Sequence, residues 1–328
     1  MAATIKDIAK MAGVSPATVS RVLSNQREFY SEKTAKKVRD AAKQLGYQRN
    51  TSAVELVTRK SRVIAVLVSS TQTNFSNPIL NGIQQQAEAH NLSVMIIFAG
   101  ENKPEMQEKA LQTVIERSVM GILLVAVDLD PTNNALLESA NIPFIFISMT
   151  MKNANFPFIS SNDFDIGYQA TKYLIKKGHT KIGFAGTDLN SFVGNLRFEG
   201  YRDAMRDNQL ARKAEWVCGG HFTYEDGLKA MRQYGQKTEL TAVIASSDLV
   251  GIGILNQANQ YGIRVPGNLA ILTVDGTQLC DIVRPKLSSV TQSFFEMGVK
   301  GMDMLVSESI KEFYSMYTPI NIVERESV

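Results

Sequence analysis

The sequence predicts a small all-α helix-turn-helix domain followed by α/β structure, a two-lobed region built on parallel sheets. Three observations predict it: a length of 328 residues, a basic head on an acidic remainder, and short apolar runs alternating with amphipathic stretches from Val63 onward. One hydrophobic core rarely organises a chain this long, so two or three folding units are expected. Residues 1–62 hold 13 Lys and Arg against 5 Asp and Glu, a net of +8, and the rest holds 22 against 27, a net of −5. Basic residues concentrated on one piece suit the neutralisation of a polyanion, although a solvated basic face has the same composition.

In the head, Thr4 is placed to cap a first helix, with Asp7 near its positive end and Ile5, Ile8, Ala9 and Ala12 as its apolar stripe. Gly13 ends that helix and Val14 lies in the turn. Ser15 caps a second helix with Pro16 at its first position, where a missing N–H costs nothing, and with Val19, Val22 and Leu23 facing inward. A third helix begins after Ser31. It buries Ala35, Val38, Ala42 and Leu45 and leaves Lys33, Lys36, Lys37, Arg39 and Lys43 on a basic outer face.

The run TIKDIAKMAGVSPATVSRVL, followed by SEKTAKKVRDAAKQLGY, resembles the N-terminal signature of the LacI/GalR family of bacterial repressors. That resemblance implies a dimer on a double-stranded DNA operator, with Pro16, Ala17 and Arg21 facing base edges in the major groove. Arg21 is the candidate for bidentate bonding to guanine, whereas Ala17 offers only apolar contact, as to a thymine methyl. Ser15, Thr18, Ser20 and Asn25 are assigned to phosphates, with Thr4 included in the DNA-binding set. In residues 48–62, QRNTSAVELVTRKSR, the resemblance implies a hinge helix that wedges Leu56 into the minor groove. Arg49 and Val54 depart from the proline and arginine usual there.

The body alternates VIAVLV, PILNGIQQQAEAH, LSVMIIF, PEMQEKALQTVIER and GILLVAV, then PFIFIS, KIGFAG, TAVIAS and LAILTV. Alternating strand and helix periods predict parallel sheets with helices on both faces, and too many strands for one sheet. NPIL, GHTKIGFAG, RFEGYRDAM, ASSDLVGIGIL, VDGT, PKLSSVTQSFFEMG and IVERES extend the resemblance to the C-terminus. It implies a periplasmic-binding-protein-like body with crossovers near Asn162, Gln292 and Pro319. The expected domains are 1–47 for the head, 48–62 for the hinge, about 63–161 with 293–319 for lobe one, and about 162–292 with 320–328 for lobe two.

In open parallel sheets a ligand sits beyond the carboxyl ends of the strands, where Arg197 and Asp275 are both expected. By resemblance Arg197 holds ligand hydroxyls, its guanidinium able to fork onto vicinal oxygens, and Asp275 accepts from hydroxyls. Both residues also suit purely structural roles. Ser148 and Ser247 stand where related sugar sensors often carry Asp or Asn. Phe75, Phe294 and Phe222 offer apolar faces to a sugar ring or a base, or else belong to the core. The implied effector is a sugar or sugar phosphate, with a purine or a phosphoprotein corepressor as alternatives.

Other classes find little support. No apolar stretch approaches the roughly 20 residues of a membrane span, and MAATIKDIAK lacks a secretory pattern, so a cytoplasmic protein is expected. A free-standing transport protein shares the body's fold but not its head. Cys218 and Cys280 have no metal or redox spacing, and His90, His179 and His221 stand alone. With neither a GxxxxGK[ST] loop nor a GxSxG elbow, no catalytic residue, metal or cofactor is expected.

Overall fold

Thr4 opens the first helix with a reciprocal cap, its hydroxyl oxygen receiving the Asp7 amide at 3.4 Å while Asp7 Oδ2 receives the Thr4 amide at 2.9 Å. The computed structural model describes residues 3–24, 27–47, 61–69, 74–100, 103–151, 155–307 and 314–328. Two units make up the chain, Met1–Lys60 and Ser61–Val328.

In the first unit, α1 (Ile5–Ala12) ends at Gly13, whose φ of 67° is the left-handed conformation that glycine adopts without steric cost. Next, α2 (Pro16–Leu23) is capped by Ser15, and α3 (Glu32–Gln44) by Ser31. Ile8, Val19, Val22, Ala35 and Val38 form the core of this three-helix unit. Ala42 is buried and Leu45 packs against the cluster, as the spacing suggests. Ala41 joins them because the small residues of α3 bury a wider face than the pattern indicates.

The second unit holds two six-stranded sheets. Strands β1 (Val63–Val68), β2 (Ser93–Phe98), β3 (Gly121–Val125), β4 (Phe144–Ile147) and β5 (Phe158–Ser160) belong to the first. The second contains β6 (Ile182–Thr187), β7 (Val217–Gly219), β8 (Ala242–Ala245), β9 (Ala270–Asp275) and β10 (Ser288–Gln292). Each gains a late strand, β11 (Met316–Tyr317) in the first and β12 (Ile320–Val323) in the second, giving orders β11-β5-β4-β3-β1-β2 and β12-β10-β9-β8-β6-β7. Among the described residues, every strand pairing is parallel except β10 with β12. Only Thr318 and Pro319 separate β11 from β12, so the chain passes directly from the first sheet to the second there.

Helices α4 (Ser76–Ala89), α5 (Pro104–Glu116) and α6 (Asn134–Ser139) follow strands of the first sheet. Alternate β1 residues separate its two faces: Ile64 and Val66 pack with Ile79 and Met297, Ala65 and Leu67 with Leu111 and Leu137. Helices α7 (Asp163–Lys176), α8 (Phe192–Asp207), α9 (Tyr224–Tyr234), α10 (Asp248–Gln260) and α11 (Leu279–Ile282) belong with the second sheet, and α12 (Phe294–Val306) returns to the first. The chain passes between sheets after β5, after β10 and between β11 and β12.

Two glycines set the geometry of the site. A Cβ on Gly167 of α7 would meet the Arg197 carbonyl oxygen at 1.9 Å, and one on Gly200 of α8 would meet that of Phe164 at 2.1 Å. The backbones of α7 and α8 therefore touch, which carries the side chain of Arg197 to Asp163 at the start of α7. Among the described residues, no helix is long and apolar enough to cross a membrane and no His, Cys, Asp or Glu group is arranged to hold a metal ion.

Candidate functional site

On α2 the buried Val19 and Val22 point Pro16, Ala17, Ser20 and Arg21 outward together, so the exposed face follows from the helical repeat. Arg21 lies over the ring of Phe29, 5.0 Å from its centroid. Phe29 is exposed and was not anticipated; such a ring restrains an arginine that otherwise samples many rotamers. Thr18 donates its amide to Ser15 Oγ at 3.1 Å, and the two hydroxyl oxygens lie 2.9 Å apart. The Thr4 hydroxyl donates to Asp7 at 2.7 Å. Ser15, Thr18 and Thr4 are thus engaged in helix caps. Asn25 and Leu56 lie outside the described residues, as do the hinge positions up to Lys60.

The second candidate region lies at the carboxyl ends of the body's strands. Asp275 is the last residue of β9, Ser148 follows β4, and Ser247 follows β8 as the cap of α10. The Ser148 amide donates to Ile159 O at 2.8 Å. Ser247 donates its hydroxyl to the Phe222 carbonyl at 2.8 Å, and the Phe222 amide donates to Gly186 O at 2.9 Å. Ser247 and Phe222 therefore form one bonded framework. Asp275 has a φ of 101°, a conformation that side-chain-bearing residues rarely hold and that recurs where a site imposes it.

Arg197 does not follow a strand as expected; it lies within α8. Its Nε donates to Asp163 Oδ1 at 2.7 Å and its Nη1 to the Ser246 carbonyl at 3.0 Å. The side chains of Arg197 and Asp163 are 10% and 5% exposed, a pair nearly withdrawn from water. Phe222 lies beside the guanidinium, 5.8 Å from its ring centroid. The fork expected to meet ligand oxygens is already largely committed to protein partners.

Gln292 donates its side-chain amide to Asp275 Oδ1 at 2.9 Å. Burial pushes the Asp275 carboxyl up to about 7; Arg197 opposes the rise, and nearby Asp248 and Asp163 reinforce it. Asp163 is likewise raised by burial, with Arg197 pulling it down. Phe75 and Phe294 stack on each other at 5.0 Å with 18° between their planes, so each ring has one face spent on the other. A cavity of ≈ 340 Å³ bounded by Gly276, Thr277, Gln292 and Phe294 adjoins this cluster. Arg197, Phe222 and Ser247 do not line that cavity. The polar side chains that could bond a ligand gather at the strand ends beside this cavity.

Sequence reasoning missed Asp163 and took Gln292 only as a crossover residue. The available signal was NDFD immediately after the crossover, which reads first as a helix start: Asn162 does cap α7, its Oδ1 receiving the Asp165 amide.

Residues 4–50 match the family model of bacterial regulatory proteins, lacI family, and residues 171–328 match a periplasmic binding protein-like domain. The chain is 30% identical over 321 residues to the HTH-type transcriptional repressor PurR of Actinobacillus pleuropneumoniae serotype 3, covering 98% of this chain and 95% of that one. Its fold is similar to that of the Lac repressor dimer bound to operator and the anti-inducer ONPF, with a TM-score of 0.89, 25% identity and coverage of 100% and 99%. It is also similar to the transcriptional regulator CelR in complex with cellobiose, with a TM-score of 0.74, 26% identity and coverage of 99% and 100%.

Proposed function

Because the chain belongs to the LacI family of bacterial regulatory proteins and is a DNA-binding transcriptional repressor, we propose that its operator affinity is controlled by a small sugar or sugar phosphate bound between the two lobes of its body. The observation that carries this reading is the gathering of Arg197, Asp275, Phe222 and Ser247 with buried partners at the carboxyl ends of β6 to β9. Ligands of doubly wound sheets sit at that edge. The cellobiose in the CelR complex supports the same class of ligand.

Arg21 reads bases, with Pro16 and Ala17 beside it, while Ser15, Thr18, Ser20, Asn25 and Thr4 position the backbone. Leu56 in the 48–62 hinge wedges the minor groove. The protein acts in the cytoplasm as a homodimer. Ile96 and Phe98, 46% and 53% exposed on the edge strand β2, supply an apolar surface for the second copy. Effector bound between the lobes shifts DNA affinity only if it binds one arrangement of the dimer better than the other.

A thermal-shift series of sugars, sugar phosphates and purines on the full chain tests the effector class. Stabilisation by a sugar or its phosphate, lost in Arg197→Ala and Asp275→Ala, supports the reading; stabilisation by purines alone overturns the sugar assignment.

A further inference from the structure

Three carboxylates and one guanidinium meet at the ligand edge of the second sheet. Asp248 is satisfied internally: its Oδ1 accepts from the Thr273 hydroxyl at 2.8 Å and the Cys280 thiol at 3.1 Å, and its Oδ2 accepts from the Thr277 amide at 2.6 Å. Arg197 is held by Asp163 and the Ser246 carbonyl. Asp275 Oδ1 accepts from Gln292, and among the described residues no bond to its Oδ2 is found. The N-termini of α7 and α10, helix ends that attract anions, already carry Asp163 and Asp248 in their first turns. Among the described residues, the one charged side chain lining the adjoining cavity is Glu296.

A phosphate needs a free cation or unoccupied backbone donors, and here it would meet three carboxyl groups around a single guanidinium that Asp163 already holds. A hydroxyl group donates to a carboxylate without adding charge. Resting on the effector reading above, we propose that this cleft selects an uncharged, hydroxyl-rich ligand and rejects the phosphorylated form, with Asp275 taking the ligand's hydroxyl and Asp163 holding Arg197 away from anions.

The charged groups facing Asp275 are Arg197 from α8, Asp248 from α10 and Asp163 from α7, with the neutral Gln292 from β10. A hydroxyl donor favours the ionised form of Asp275, so binding releases a proton wherever the free carboxyl is still protonated. Affinity for a neutral sugar then rises with pH through about 7 and levels off above it.

Calorimetric titration of the full chain at pH 5.5, 7 and 8 decides the matter, using glucose and cellobiose beside glucose 6-phosphate and cellobiose 6-phosphate. The expected result is a neutral sugar bound at least about tenfold more tightly than its phosphate, a difference of about 1.4 kcal/mol, with affinity rising about tenfold between pH 5.5 and 8. Equal or tighter binding of a phosphorylated sugar overturns this selectivity while leaving the effector reading in place. Failure of all four probes, together with failure of the wider sugar series, removes the effector reading itself. In Asp163→Asn, shown to be folded by circular dichroism, the released arginine raises affinity for the phosphorylated sugar severalfold. No gain in that variant overturns the role given to Asp163.

Discussion

The carbonyl oxygen of Arg197 lies where a Cβ on Gly167 would come within 1.9 Å of it. This contact between α7 and α8 determines where the guanidinium lies, and Asp163 one turn earlier on α7 receives its Nε. Backbone cannot retreat from such a clash as a flexible side-chain tip could, so Gly167→Ala should force the helices apart. We expect a loss of about 1–3 kcal/mol from the body by overpacking and at least tenfold weaker effector binding. Denaturant unfolding followed by the body's Trp216 measures the first; calorimetry measures the second.

Arg21→Ala should cost about 1–3 kcal/mol on the cognate duplex and much less on random DNA. Equal losses on the two, read by fluorescence anisotropy at fixed salt, would show that Arg21 touches only phosphate.

Acid and base should act on the body through Asp275. Its carboxyl rises from an ordinary 3.8 to about 7 in the folded state. The folded protein therefore binds more protons than the unfolded chain between those values, and stability falls as pH rises through that window. Asp163 shifts in the same direction. Thermal unfolding from pH 4.5 to 8 should show the decline, and Asp275→Asn should flatten most of it. An unchanged slope in that variant would place the titrating group elsewhere.

Much of this architecture is legible in the chain. The caps Thr4, Ser15 and Ser31 announce the head's helices because a hydroxyl that accepts a backbone N–H is a local interaction. The longer strands appear as apolar runs because both their faces are covered. β5, β7 and β11, only two or three residues long, carry no periodicity to read. Arg197 and Asp275 could be named from motif resemblance. The Arg197–Asp163 pair could not, since it joins residues 34 apart through a helix contact that the sequence marks only by Gly167 and Gly200. Phe29 beside Arg21 was equally hidden, since an exposed aromatic in a short connection has no pattern.

Control of DNA binding by a ligand that Asp275 and Arg197 hold, as proposed, is read by titrating the full chain into a labelled pseudo-palindromic duplex selected from a random library, with and without the sugar that stabilises the protein best. Saturating sugar should change wild-type operator affinity by at least about tenfold, or about 1.4 kcal/mol. Asp275→Ala should bind the duplex normally in the absence of sugar and give no response to it. Equal wild-type affinity with and without a sugar that demonstrably occupies the cleft would show that this ligand does not govern DNA binding.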